Sequence, residues 1–528
     1  MTTIMKRLIS SVSAFLLLFS CSYLDREPAD FITPEEIDVE NDVKLLLNGA
    51  YAALAIYKQL PVSLDYISDN GYCNDPNCGE NVYWRMAQTP SDTRLTLYLW
   101  ARDYAGILRA NSVIHYAPLV NYSTNTREQY RNGPERRNNQ IAQAKVLRAY
   151  FYLDLIDRYG DCPWRTEPEG VDHQISPRVS KETILSNILL DLDEAIPYLP
   201  EEYSNPNYTN SIAEYGKFTK GAALALKARA SLYFGYYDWC IEACREIIGM
   251  NRYDLEPFSH LFTQEYEKNK EYIMTIQYIP DRTAEGASAI WWSRFNSSSQ
   301  YQISYNLADE FYMLDGQPSS KSPLFSWTNP YDKRDPRLGY TMERYTSGEK
   351  EVASIYHTGL KLKKFVSPNP ENIANNDGQD FPIIRYADVL LMLAEALIET
   401  DEYDYDEVCS LINRIRTRQD VGMPTIAESE EAAQGRKLST SQLRQVLRHE
   451  RRVELAMEGL RISDIRRWEI GDQAYSDCYA VREDGTGTGY KKIVFATRSF
   501  DTSKGYLWPI PSIETQRNPM PNNPGYYD

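Results

Sequence analysis

The sequence predicts an all-α, mainly helical protein: a scaffold of tetratricopeptide-like helix pairs carrying long irregular ligand-binding loops and few short strands. Three observations predict it. Apolar residues recur at helical spacing in eight separate stretches, each with one side that faces a core. Two of these stretches resemble each other as small-residue helix, polar aromatic turn and second amphipathic helix. The segments between helices are long, irregular and rich in Trp, Tyr, Asn and Gly.

Taken in order, the helical patterns cover residues 37–55, 93–115, 139–158, 183–199, 219–248, 385–399, 405–418 and 441–468. Within residues 219–248, Ala225, Ala228 and Ala230 lead through Gly235-Tyr236-Tyr237-Asp238 into the amphipathic run that holds Cys240 and Cys244. Leu391, Ala394 and Ala396 lead in the same way through a Tyr/Asp turn into Val408, Leu411, Ile412 and Ile415. A weaker third unit begins at Gln143 and ends at Tyr159-Gly160. Stacked helix pairs of this kind bury their apolar faces against their neighbours. Four irregular stretches, residues 68–91, 280–305, 318–365 and 470–503, lie between the helices. Loops of that length are functional or disordered, and their aromatic content speaks for function.

At the N-terminus, Lys6 and Arg7 precede an apolar run over residues 8–19, too short to span a bilayer comfortably and of the kind that directs export. It ends in Leu18-Phe19-Ser20-Cys21, a relaxed lipobox-like sequence. The expected organisation is a signal peptide over residues 1–20 and one mature body over 21–528, with halves at about 21–270 and 271–528. Acylation of Cys21 would anchor the body to a membrane through several chains. The formal charge is −17, and losing Lys6 and Arg7 takes it to −19. Such acidity repels phosphate backbones, so no nucleic-acid partner is expected. Seven cysteines remain after Cys21, an odd number. Cys73 and Cys78 form the one close pair in a loop-like context and are candidates for a local disulfide, whereas no spacing suits zinc. Neither a metal nor a cofactor is expected.

The most informative segment runs from Val446 to Trp468. Leu443, Val446, Leu447, Val453, Met457 and Leu460 recur at helical spacing among Glu450, Arg451, Arg452, Glu454, Glu458, Arg461, Asp464, Arg466 and Arg467. The order E-R-R-x-E-L-x-x-E-G-x-R-x-x-D-x-R-R-W resembles the C-terminal signature of the SusD/RagB family, the surface nutrient-binding lipoproteins of Bacteroidetes. Trp100 to Asn111, the Leu147-Arg148-Ala149-Tyr150 segment through Tyr159-Gly160 and Pro163, Arg385 to Ala396, and Trp508-Pro509-Ile510-Pro511 with Asn523-Pro524-Gly525-Tyr526 are similar to further blocks of that family, in order. The resemblance covers essentially the whole mature chain. Its blocks read as structural, and the charges around Glu454 as an internal ion network. The resemblance implies a lipid-anchored, cell-surface protein of the outer membrane. It would capture an oligo- or polysaccharide, or alternatively a peptide as RagB-like members do, and deliver it to a SusC-like TonB-dependent transporter; a scaffold that binds protein alone is the remaining alternative.

Ligand residues are expected where loop aromatics adjoin amides and arginines, because sugar ring faces lie flat on aromatic rings while hydroxyls need polar partners. Asn81, Tyr83, Trp84 and Arg85 meet that description, as do Trp291 and Trp292, and Trp327 with Tyr331. The alternative for each loop tryptophan is a plug beneath its loop. No nucleophile elbow, P-loop or H-E-x-x-H motif occurs, so the expectation is a binding protein and not an enzyme.

Overall fold

The computed structural model describes residues 37–55, 60–122, 133–168, 175–203, 215–278, 300–344, 357–366, 377–400 and 403–526. The signal segment, Cys21, Trp291 and Trp292 lie outside them. The mostly helical class is as the sequence predicts. The N-terminal helices are α1 (Glu40–Ala52), α2 (Leu60–Tyr66), α3 (Gly79–Trp84), α4 (Thr96–Tyr116), α5 (Gly133–Tyr159), α6 (Lys181–Ala195), α7 (Lys220–Tyr233) and α8 (Tyr237–Gly249). Then come α9 (Tyr305–Glu310), α10 (Arg337–Thr341), α11 (Tyr386–Ile398), α12 (Tyr405–Arg416), α13 (Thr440–Glu454) and α14 (Arg461–Arg467). No helix among the described residues is long and apolar enough to cross a membrane.

Local chemistry sets the helix ends. Ser180, Thr219, Asp404 and Ser439 each accept a backbone N–H at the start of α6, α7, α12 and α13, and Gln442 completes a capping box at the last. The pairs α4–α5, α7–α8 and α11–α12 pack as neighbours. At Gly106 the α4–α5 approach is so close that a Cβ there would stand 2.2 Å from the Phe151 ring. Every residue of α11 is buried, so it serves as the central helix. At about 2 kcal/mol for each buried Leu or Val, its burial is a leading source of stability.

Residues 219–248 form a helix pair turning where the sequence reading put the turn, whereas 441–468 divide into two helices instead of running on as one. The first breaks at Phe234–Tyr236, where Gly235 takes φ 80°. The second breaks between α13 and α14, with Met457 at φ 64° and Gly459 at φ 81°. This second break has an electrostatic reason. It frees the Glu454 carbonyl to accept from Arg385 Nη2 at 3.1 Å and the Ala456 carbonyl to accept from Lys364 Nζ at 2.9 Å, while the Gly459 N–H donates to Asp65.

Around that break lies a buried ion network. Glu454 accepts from Arg337, Arg385 and Arg418, each at 3.0 Å. Glu458 accepts from Arg385 and Lys364, and Glu450 from Arg337 and Arg416. Arg451 reaches Asp388 at 2.9 Å, and Arg467 pairs with Glu395 and Asp464. Asp69, from the N-terminal half, takes Arg452 at 3.0 Å and Arg461 at 2.8 Å. Burial opposes ionisation of Glu454, but the three arginines outweigh it and hold its carboxyl far below the usual carboxylate range. The charges of the family-like signature therefore dock helices, as expected.

Among the described residues the strands form five two-stranded antiparallel ladders, a short one being β2 (Cys162–Pro163) with β3 (Arg178–Val179). Of these, β4 (Tyr272–Ile276) with β8 (Phe381–Arg385) lies in the core. Three others, described next, tie the irregular stretches together.

Candidate functional site

Described parts of the four irregular stretches are linked by strand pairing and hydrogen bonds. Strand β1 (Gly71–Cys73), from the first, pairs with β5 (Tyr301–Ile303), from the second. The Thr358 N–H donates to Gln302 Oε1 at 2.9 Å, joining the second to the third. In the third, β6 (Met342–Arg344) pairs with β7 (Leu360–Leu362). The fourth forms a hairpin of β9 (Cys478–Glu483) and β10 (Tyr490–Ala496). Its Tyr490 N–H donates to the Trp327 carbonyl at 2.8 Å, and Arg482 donates to the His357 carbonyl.

One aromatic patch gathers at the open end of the hairpin. The half-buried Tyr72 ring lies 4.8 Å from Trp84, 5.3 Å from Phe495 and 5.8 Å from His357. Trp84 is 4% exposed and sits beneath Tyr72, with the Arg498 guanidinium 4.5 Å from its ring centre. Asn81 is buried, donating to the Cys73 carbonyl and accepting from Arg85 Nε at 2.7 Å. Tyr83 is buried against Trp508, its hydroxyl bonded to Thr96. Of this sequence-predicted group, only Arg85 is exposed. The accessible rings are Tyr72, His357 and Phe495. Burial and then Arg482 push the His357 imidazole below its ordinary pKa.

A second patch gathers at the turn end. Trp327 is 39% exposed, with Phe325 edge-on at 5.0 Å. Tyr331 is half-buried, edge-on to Tyr305 at 6.1 Å. Arg344 lies over both Tyr331 (5.3 Å) and Tyr490 (4.8 Å), donating to the Tyr490 hydroxyl at 2.8 Å. Alongside, Lys492 stands 4.1 Å from the Tyr479 ring. Both line a polar cavity of about 420 Å³ that also presents Asn306, Asp309, Glu310 and Arg452.

Trp84 and Arg85 thus adjoin the ring cluster at the Phe495 end of β10, and Trp327 and Tyr331 adjoin the one at its Tyr490 end, with a bulge between Val494 and Ala496. Tyr490 and Phe495 are five residues apart, about 17 Å at the extended rise. Flat rings at both ends with amides, carboxylates and cations between them fit an extended, hydroxylated ligand better than a compact one. Sequence reasoning missed Tyr72, His357, Arg344, Tyr490 and Phe495. A signal existed for the last two: alternating residues flank the turn Asp484-Gly485-Thr486-Gly487-Thr488-Gly489, which is a hairpin pattern.

Cys73 and Cys78 are joined as a disulfide under the first patch. With Glu80 they form one group of potential metal ligands close in space among the described residues. The disulfide occupies both sulfurs and Glu80 accepts from Ser63 at 2.7 Å, so the group fits a structural clasp.

Comparison with known proteins gives consistent relatives. A family model described as the SusD family matches residues 260–526, and one described as starch-binding, associating with outer membrane, matches residues 22–232. SusD-like protein P2 of Formosa agariphila is 24% identical, the match covering 98% of this chain and 99% of the relative. Among solved structures, a SusD-like protein of Bacteroides fragilis superposes with a TM-score of 0.78 at 23% identity, over 95% of this chain and 100% of that one. A protein described as laminarin-binding and SusD-like has a TM-score of 0.65 at 22% identity, over 93% and 100%.

Proposed function

This chain belongs to the SusD family, and from that premise we propose that it is a non-catalytic glycan-binding protein at the outer surface of the outer membrane. Held there through acylated Cys21, it captures oligo- or polysaccharide and passes it to a SusC-like TonB-dependent transporter. The observation that carries the reading is the convergence of four sequence-distant loops into two ring patches joined by one hairpin. The match to a family model described as starch-binding and outer-membrane-associating supports it, as does the laminarin-binding description of one structural neighbour. Stacking on Tyr72 and Phe495 at one end, and on Trp327 at the other, would hold sugar faces, while Asn306, Asp309 and Lys492 bond hydroxyls.

The test is titration of the mature protein against a panel of glycans and of mixed peptides. Glycan binding that weakens in Tyr72→Ala and in Trp327→Ala, at unchanged melting temperature, is the expected result. Binding of peptides alone would replace the ligand class. Glycan binding indifferent to both substitutions would move the site elsewhere.

A further inference from the structure

Building on the glycan reading, we propose that the preferred ligand is an acidic glycan, whose carboxylate or sulfate groups are met by arginines set beside the two ring patches. The chain carries a net charge of −17, and most arginines among the described residues pair with carboxylates. Buried ones such as Arg337, Arg385 and Arg451 are paired, and so are exposed ones such as Arg245 with Glu407 and Arg414 with Asp254. Arg85 and Arg344, both exposed and each beside one of the ring patches, are among those that do not.

Arg85, beside Tyr72, directs Nε to Asn81 Oδ1 at 2.7 Å and Nη2 to the Pro76 carbonyl at 3.5 Å, both neutral acceptors. Arg344 rests on the Tyr331 and Tyr490 rings and bonds the Tyr490 hydroxyl. Neither makes an ion pair with a carboxylate among the described residues. Arg482 stands between them, close enough to lower the His357 imidazole and to bear on the Tyr331 phenol.

Several carboxylates near the patches are already engaged. Glu343 faces Lys361 at 3.4 Å, and Asp309 faces both Arg334 and Lys492 at 3.3 Å. Asp75 accepts from the Asn77 N–H and from Gln300, and Asp484 accepts from Thr486. A guanidinium seated on an aromatic ring keeps its N–H edge outward and holds its orientation. That presentation suits bidentate bonding to a carboxylate or sulfate. The acidic remainder of the surface repels a polyanion, so the arginines confine its binding to the patches.

The probes are chosen to differ in charge alone. De-esterified oligogalacturonate is compared with its methyl ester, which tests a carboxylate, and a sulfated galactan oligosaccharide with its desulfated form, which tests a sulfate. The expected result is that at least one charged form binds roughly tenfold or more tighter than its neutral twin. Arg85→Gln and Arg344→Gln, both at exposed positions, should each weaken the charged form by about five- to tenfold without shifting the melting temperature. Equal binding of charged and neutral twins, neutral-only binding, or charged-form binding indifferent to both substitutions overturns the acidic preference and leaves the glycan reading standing. No binding to any of the four probes or to the neutral panel overturns both.

Discussion

Replacing Glu454 with alanine tests the buried network at its centre. Glu454 is fully buried and bonds three arginines. Arg385 and Arg337 keep other carboxylates after the change: Glu271 and Glu458 for the first, Asp335 and Glu450 for the second. Arg418 does not fare as well. Its one well-directed carboxylate bond is the one to Glu454, with Glu271 standing off at 3.5 Å and its Nε and Nη1 without hydrogen bonds. The loss is therefore that of one buried cation left nearly uncompensated, about 3–5 kcal/mol, rather than three full bonds. With an unfolding entropy of about 2.1 cal/mol/K per residue over roughly 500 residues, the melting temperature should fall by about 3–5 °C if the body unfolds as one unit. Thermal and urea unfolding of Glu454→Ala would measure it. The double variant with Arg418→Met should recover part of the loss, because the stranded cation leaves with its partner. A single variant with unaltered unfolding but no glycan binding would refute the structural role of Glu454.

Three further predictions concern other regions. Trp84→Ala should cost about 3–5 kcal/mol through the cavity it leaves and should weaken glycan binding by undercutting Tyr72; a stable variant with reduced affinity would instead make Trp84 a direct contact. Cys73→Ser with Cys78→Ser removes a short-loop constraint worth about 2 kcal/mol and the Cys78 Sγ cap on α3. Faster amide exchange confined to residues 74–85 is expected, and unchanged exchange there counts against it. Burial, reinforced by Glu267, pushes the Asp380 carboxyl up to about 7. The folded state thus keeps a proton that the unfolded chain releases near pH 4, so this group's contribution is full below about pH 4 and lost as pH rises towards 7. Asp380→Asn retains an oxygen for the Tyr278 N–H and removes that loss. Its urea midpoint should gain on the parent protein between pH 5 and pH 8, and a gap equal at both values would sink the assignment.

The helical scaffold was legible because its signal is local. Apolar spacing marked all eight stretches, and the small residues of α7 announced close packing. The turn at Gly235 was legible in the same way, but the break at Gly459 was not, because its cause is Lys364 and Asp65, which no window around Gly459 contains. The candidate face was legible only in part for the same reason. Trp327 and Arg85 stand out in composition, whereas Tyr72 and His357 gain meaning only when β1 and the hairpin bring them together. Tryptophan drew the eye to Trp84, yet the fold uses that ring as a support and turns a tyrosine outward above it.

The turn at Gly459 also bears on how the chain reaches its folded state. Asp65 and Asp69 are deeply buried, yet their partners, the Gly459 N–H, Arg452 and Arg461, come almost four hundred residues later. Until that C-terminal segment arrives, closing the N-terminal core would strand two carboxyl groups in a low-dielectric interior. Burial, with Glu458 adding to it, holds Asp65 up at about 7 even in the finished protein, against the bonds from Asn70 and Gly459. The last contacts in sequence are thus a condition for the first core to close, and loops of that length must be ordered together. A chain built this way completes its N-terminal core only once the whole polypeptide is present, so early, piecemeal folding during synthesis and export is held back by its own wiring.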